Sequence, residues 1–491
     1  MSTPRFHLTL SLVLLLTLIV SCAPHATSSL SQPSEQIPTS APNLPTSTYE
    51  PTRKPKGPQS PQTFPTSSYA PATSDFNIIL GRPTSNAITA NIYSKKDMRV
   101  VIAYGISSGS YSTQTNPIDI KAFAPQTVKF SNLQPDTTYY YAINGASSEH
   151  TFHTQRASGD TFTFTIDADP HNRDPRFNGE LYATTLTNIL TDRPDFHINL
   201  GDTFMTEKIQ AGIYEEAAST FTDMRPYFGI LGADVPLFLV NGNHEGELGW
   251  LLKDKDLSIW STQLRQWYYP NPTPNDFYSG GTATDPSLGG VRDGYYAWSW
   301  GDALFIVLDP FWYTTFKPRS DDLNSNWNWT LGKDQYDWLK STLGTSDAKF
   351  KFVFVHHLVG GARDARGGIE FANLFEWGGD NADGSYGFNE QRPGWDTPIH
   401  QLLINNHVSA VFHGHDHVFV KQDLDGIVYQ EVPQPSNDRP DNTNLAAEYG
   451  YLNGDVIAGS GYLRVTVTPN QVTVDFVRAD AGQAVYSYLI Q

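Results

Sequence analysis

Residues 408–417 read V-S-A-V-F-H-G-H-D-H: a short β run, Val408–Phe412, then His413, His415, Asp416 and His417 gathered around Gly414. The same grammar recurs upstream. Lys351–Val355 (K-F-V-F-V) leads into His356-His357, and Leu237–Val240 (L-F-L-V) into Gly242-Asn243-His244-Glu245. Phe196–Leu200 (F-H-I-N-L) ends in Gly201-Asp202, and Thr161–Ile166 (T-F-T-F-T-I) is followed by Asp169-Pro170-His171. Phe305–Leu308 is a further β run. Helical patterns lie between several of these, at Gly179–Leu190 and Asp334–Leu343. Another begins at Asp396, whose side chain can cap a helix entered through Pro398. Such alternation predicts an α/β layer structure. In open α/β sheets ligands bind beyond the carboxyl ends of the strands, so five polar clusters that each follow a strand can converge on one site.

The residue types fix the chemistry. In Asp169-x-His171 and His415-x-His417 the spacing of two puts both side chains on one face of an extended segment. The glycines before Asp202, Asn243 and His415 permit sharp exits from the strands. The sequence has one cysteine, Cys22, which excludes a thiolate cluster and any intramolecular disulfide. Any metal is therefore held by His, Asp, Glu or Asn, a donor set that suits Mn, Fe, Zn or Co. Two divalent cations about 3.5–4 Å apart can share a carboxylate and a hydroxide, clamping the attacking and leaving oxygens of a phosphoryl transfer.

The ordered series D-x-H, G-D, G-N-H-[DE], H and G-H-x-H, spread over residues 169–417, resembles the calcineurin-like metallophosphoesterases. The resemblance implies a four-layer αββα metallophosphoesterase sandwich with two divalent metal ions. It assigns Asp169, His171, Asp202 and His417 to the first metal. Asp202 bridges to the second, held also by Asn243, His356 and His415. His244 is then the acid that protonates the leaving group or steadies the phosphoryl oxygens. Of the adjacent pair, His356 leaves the strand first and is the ligand, with His357 near the substrate. Arg363, Arg366 and Arg392 are candidates to fork onto phosphate. With a fibronectin-like domain before the phosphoesterase-like one, the chain resembles purple acid phosphatases, but their iron-binding tyrosine, three residues past the bridging aspartate, is here Met205. The expected activity is hydrolysis of phosphomonoesters by a metal-bridging hydroxide. A phosphodiesterase of nuclease or cyclic-nucleotide type, and a surface binding protein with an inert phosphoesterase domain, are the alternatives.

The rest of the 491 residues frames this unit. Residues 1–22 read as an export signal, with Arg5 before the apolar run Leu8–Val20, too short to span a bilayer. Its end, Ile19-Val20-Ser21-Cys22, resembles a bacterial lipobox, which implies lipidation of Cys22. An ordinary cleaved signal is the alternative. Residues 23–75 hold 11 Pro and 18 Ser/Thr, a composition that predicts a disordered tether. Residues 76–156 alternate in short runs such as Asn86–Tyr93, Arg99–Tyr104 and Thr138–Ile143, predicting an all-β sandwich. Leu133–Tyr139 resembles the tyrosine corner of fibronectin type III domains. Residues 160–491 form the phosphoesterase-like domain, closed by a hairpin of Tyr462–Thr468 and Gln471–Arg478.

A net charge of −18 disfavours a broad grip on nucleic acid. The expected partners are a phosphate ester and, through the lipid alone, a membrane; the expected location is extracytoplasmic, at the cell membrane or surface. Asp167 competes with Asp169 as first ligand but lacks the imidazole two residues on. Gly105-x-Ser107-x-Gly109 matches a hydrolase elbow but lacks the helix that must follow. The aromatics crowded into 250–329 are read as packing between layers, with a substrate-stacking rim as the alternative.

Overall fold

The protein is described here by a computed structural model, which covers residues 69–144, 148–209, 213–252 and 256–490. The expected export signal, Cys22 and the expected tether up to residue 68 lie outside the described residues.

The phosphoesterase-like domain is built on two sheets. One has six strands in the order Leu237–Leu239, Phe196–Asn199, Phe162–Asp167, Gly461–Val467, Val472–Arg478 and Ala484–Ile490. The first three run parallel and the rest antiparallel. The closing hairpin therefore joins this six-stranded sheet, next to Phe162–Asp167, and carries an additional edge strand. The other sheet has eight strands, in which Ala303–Val307, Phe350–Phe354, Ala410–His413 and Ile427–Glu431 are parallel neighbours. Aromatic side chains fill the space between the sheets. Phe164, Phe196, Phe305, Phe352 and Trp298 are buried there, and Phe238 stacks on Trp298 at 4.1 Å. Each such side chain contributes about 1.5–3 kcal/mol by leaving water. Packing is thus what most of the crowded tryptophans and tyrosines do.

Helices cover the outer faces. Gly179–Asp192, Tyr214–Gly232 and Leu257–Tyr268 pack on the six-stranded sheet through Tyr182, Leu186, Phe221 and Leu264. Lys333–Gly344 and Ile399–Asn405 pack on the other sheet through Leu339, Leu343, Ile399 and Leu403. The order helix, sheet, sheet, helix is the four-layer architecture expected from the resemblance. Helix Gly179–Asp192 starts where the Asn178 side chain accepts the Leu181 N–H at 3.0 Å and stops at Arg193, whose φ is 50°. The Asp396 cap is corrected: helix Ile399–Asn405 begins after Pro398 with no side-chain cap, and Asp396 pairs with Lys340.

The N-terminal region is β-rich. Strands Phe76–Gly81, Ala87–Ser94 and Gln126–Ser131 form one sheet; Ile102–Gly105, Thr138–Ile143 and His150–His153, with short Thr113–Gln114, form another. Ile78, Ile88, Ile102, Phe130 and Tyr141 share their core. The Tyr139 hydroxyl accepts the Gln134 N–H at 2.8 Å. The single run expected over Arg99–Tyr104 is broken at Val101: Met98–Val100 pairs with Ile118–Ile120, and Ile102–Gly105 with a different sheet. Ser108 of the elbow-like motif lies in an exposed turn and donates to Glu149 at 2.6 Å.

This region is seated firmly on helix Tyr214–Gly232. Arg225 is fully buried, donating to Asn77 Oδ1 at 2.9 Å and Asn91 Oδ1 at 2.7 Å. At Gly229 a Cβ would stand 2.6 Å from Cβ of Asn77, so the helix carries glycine where the strand presses against it. Among the described residues no helix is long and apolar enough to cross a membrane.

Candidate metal centre and its surroundings

Three of the five clusters leave their strands through strained turns. Asp169, His171, Asp202, His415 and His417 all have positive φ, from 52° to 82°. Such backbone costs of order 1–3 kcal/mol per residue and gathers at functional sites. The paired side chains of Asp169/His171 and His415/His417 therefore converge through left-handed turns above the sheet rather than by alternation along an extended segment, which corrects that expectation.

Glycines let the loops interlock. A Cβ at Gly201 would lie 2.4 Å from Gly242 N, one at Gly242 would lie 2.3 Å from Asp202 Oδ1, and one at Gly414 would lie 2.7 Å from Asp169 Oδ2. The loops are tied by carboxylates. Asp169 Oδ2 accepts the His415 N–H at 2.8 Å, and Asp202 Oδ1 accepts the His244 N–H at 2.8 Å. Glu245, fully buried, accepts the N–H groups of Gly242, Asp202 and Thr203 at 2.5, 2.9 and 2.6 Å. Its role is to lash the Asp202 loop to the Asn243 loop, and burial, with the Asp202 charge, pushes its carboxyl up from the ordinary range.

The remaining carboxylate oxygens and the imidazoles face one another. His171 Nε2 stands 3.5 Å from Asp169 Oδ1 and 3.3 Å from Asp202 Oδ2. His417 Nε2 is 3.4 Å from Asp169 Oδ1, and His356 Nε2 is 3.2 Å from Asp202 Oδ2 and 3.1 Å from Asn243 Oδ1. Asp169, His171 and His417 form one group whose ligand atoms lie within 4.8 Å of one another; Asp202, His356 and His415 form a second. His171, Asp202 and His244 also meet this distance.

The donor set fits divalent cations. Asp169 Oδ1, His171 Nε2 and His415 Nδ1 are buried without a hydrogen-bond partner, a costly state unless an ion completes them. His356 Nδ1 lies 2.8 Å from the Leu200 carbonyl, a contact that puts the proton on Nδ1 and leaves Nε2 free to ligate. Burial alone would lower the imidazole pKa of His171, yet the Asp169 and Asp202 carboxylates raise it to about 9; His356 is likewise raised to about 10, chiefly by Asp202. Burial opposes ionisation of Asp169, but the facing histidines hold its carboxyl well below the usual range.

His244 is set apart from the ligand groups by its second nitrogen. Nδ1 meets the Glu207 carboxylate, and Nε2 faces Asp202 Oδ2 at 3.7 Å. Glu207 was not visible as a site residue in the sequence. It lies five residues past Asp202 in a 3₁₀ turn, Thr206–Lys208, that only the fold swings under His244.

The other candidates separate clearly. His357 is buried beside Trp329 (4.6 Å between rings) and His415 (5.4 Å); burial, then the neighbouring His356 charge, lowers its pKa to about 3, so it is neutral. Arg392 is not brought to the site: its guanidinium is held by buried Glu376 and by the Trp327 and Trp329 carbonyls. Arg363 is exposed, lies nearest Asp364 and lines a separate pocket with Phe371 and Tyr449. Arg366 is closer in, donating to the His415 carbonyl at 2.8 Å and pairing with Asp416 at 2.9 Å. Asp167 points away, bonded to Tyr182, His197 and Asn199. Buried Met205 offers no oxygen or imidazole donor where purple acid phosphatases have tyrosine.

A cavity of about 610 Å³ opens beside the cluster, lined by Asn243, His244, His357 and His415 and by Trp250, Trp329 and Lys317. A larger groove of about 830 Å³ lies at the opposite, amino-terminal ends of the strands, near Asp302 and Lys349, and contains no imidazole.

Residues 162–419, just over half the chain, match the Calcineurin-like phosphoesterase family. Among solved structures, PhoD superposes with a TM-score of 0.60 at 17% identity, over 87% of this chain and 91% of that one. The purple acid phosphatase PPD1 from yellow lupin (Lupinus luteus) seeds does so with a TM-score of 0.54 at 14% identity, over 84% and 74%. At these identities the likeness concerns the fold. A search of the curated proteins returned no match. By sequence and by fold, this chain belongs to the calcineurin-like phosphoesterase family and is a metal-dependent phosphoric ester hydrolase.

Proposed function

We propose that the chain is a phosphomonoesterase working with two divalent cations. One is held by Asp169, His171 and His417, the other by Asn243, His356 and His415, with Asp202 shared between them. When bound, the cations polarise the phosphoryl oxygens and supply a nucleophilic water near neutral pH. The chain's own residues do the rest. The backbone N–H groups of His244 and His415 hold Asp202 and Asp169 in place, and with them the negative charge of the site. Glu207 holds the His244 ring through Nδ1–H, and Nε2 faces the reacting centre. His244 enters as the imidazolium: its Nε2–H proton passes to the leaving oxygen as the P–O ester bond breaks, and the neutral imidazole stays on Glu207 through Nδ1–H.

The observation that carries this reading is the pairing of a complete His/Asp/Asn donor set with a carboxylate-held imidazole beside it. The same reading makes residues 76–156 a fibronectin type III-like module, supported by the Gln134–Tyr139 contact. It makes the protein a lipoprotein anchored through Cys22 and exposed outside the cytoplasm, supported by the sequence of residues 1–22. The test is a panel of p-nitrophenyl phosphate, bis(p-nitrophenyl) phosphate and nucleotides on metal-quantified protein. The expected result is monoester kcat/KM at least tenfold above diester. A preference for the diester overturns the monoesterase assignment.

A further inference from the structure

The cavity beside the imidazole cluster has a wall that hydrolysis itself does not use. Leu248, Leu251 and Leu257 contribute apolar surface, and Trp250 stands half-buried, edge-on to Trp329 at 5.7 Å. A phosphoryl group is wholly polar and gains nothing from such a surface, so the wall faces the rest of the substrate. A cavity of about 610 Å³ is within the range that encloses a whole organic ligand, roughly 300–1,000 Å³.

Among the described residues four cations line the same cavity, and three of them are already paired. Lys208 pairs with Glu207 at 2.6 Å, Arg366 with Asp416 at 2.9 Å and Arg319 with Asp321 at 2.9 Å. Lys317 has no carboxylate within 4 Å among the described residues; its ammonium rests 5.8 Å from the Trp250 ring centroid. An ammonium on a flexible stem, parked on an aromatic face at the mouth of a site, is free to move to a stronger partner. In a chain of net charge −18, that partner is an incoming anion.

Resting on the phosphomonoesterase reading, we propose that Trp250 and Lys317 determine specificity. They select phosphate esters whose leaving group is a planar aromatic ring bearing a second anionic group. The ring packs on Trp250, and the second anion takes Lys317.

The test uses the metal-loaded full chain with three esters: 4-carboxyphenyl phosphate, phenyl phosphate and glycerol 2-phosphate. Trp250→Leu is expected to lower kcat/KM about tenfold on both aryl esters and less than about twofold on glycerol 2-phosphate. Lys317→Gln is expected to cost about tenfold on the carboxyphenyl ester and less than about twofold on phenyl phosphate, with Lys317→Arg restoring the difference. Calorimetric binding of phenylphosphonate and 4-phosphonobenzoate, which are not hydrolysed, should divide in the same way. Equal losses on all three esters, or phosphonate affinities that ignore both substitutions, overturn the specificity proposal while leaving the phosphomonoesterase standing. Wild-type protein that turns over none of the three overturns both.

Discussion

Replacing His244 with alanine separates proton delivery from metal binding, because the two use different atoms of the same residue. The backbone N–H of residue 244 donates to Asp202 Oδ1, and alanine keeps it, so the shared aspartate stays seated. What alanine removes is the imidazole, held at Nδ1 by Glu207 with Nε2 facing the centre. General acid catalysis supplies about 10²–10⁴-fold, equivalent to about 2.7–5.4 kcal/mol of barrier. An alkoxide needs that proton as the bond breaks; p-nitrophenolate leaves almost without it. His244→Ala should therefore lose about 10²–10⁴-fold on glycerol 2-phosphate but less than about tenfold on p-nitrophenyl phosphate. Glu207→Gln keeps a hydrogen-bond acceptor but loses the charge, and should fall between wild type and alanine on the alkyl ester alone. The assay is kcat/KM on both esters alongside metal content by mass spectrometry. Equal losses on the two esters would mean that His244 acts on the phosphoryl oxygens, and loss of metal would make it a ligand. Either result refutes the acid role.

Other perturbations test the supporting structure. Gly242→Ala pushes a methyl against Asp202 Oδ1 and Glu245 Oε2, so it should abolish metal binding and turnover while circular dichroism stays that of a folded chain. Buried Glu247 is destabilised as an anion by burial, but Arg265 and Arg292 outweigh this and hold its pKa at about 2 against an ordinary 4.5. Its charge therefore contributes about 3 kcal/mol above pH 4.5, lost as pH falls through 2. Glu247→Gln should lower stability by about that amount at pH 7, with the gap to wild type closing towards pH 2 in denaturant titrations. Cys22→Ser should move the protein from the membrane to the soluble fraction with kcat unchanged; continued membrane partitioning would count against the lipid anchor.

The layer order and the five polar clusters were legible because each is a local signal: a β run, then the ligand types, with glycine between them before Asp202, Asn243 and His415. Asp202, His356 and His415 follow their strands so directly that sequence neighbours are also spatial neighbours. What was not legible depends on contacts distant in sequence. Helix Tyr214–Gly232 is disguised by Pro226, Gly229 and Gly232, and its glycines make sense only against the strand carrying Asn77. Glu207 looks like any surface acid until the turn after Asp202 brings it to His244. Arg392 looks like a phosphate fork until Glu376 is found buried against it. The left-handed backbone of Asp169, His171, His415 and His417 leaves no mark in residue type, since aspartate and histidine tolerate that region and also ligate metals.

The central claim is that two cations share Asp202, and one titration tests it directly. Chelator-stripped protein is titrated with Mn²⁺ or Zn²⁺ in a calorimeter, and aliquots at each step are assayed on p-nitrophenyl phosphate, for wild type and for Asp202→Ala. Wild-type chain should bind two equivalents and reach maximal turnover only with the second, and Asp202→Ala should lose both binding and turnover. Full activity at one equivalent, or an Asp202→Ala protein that binds two cations and turns over, would contradict the claim.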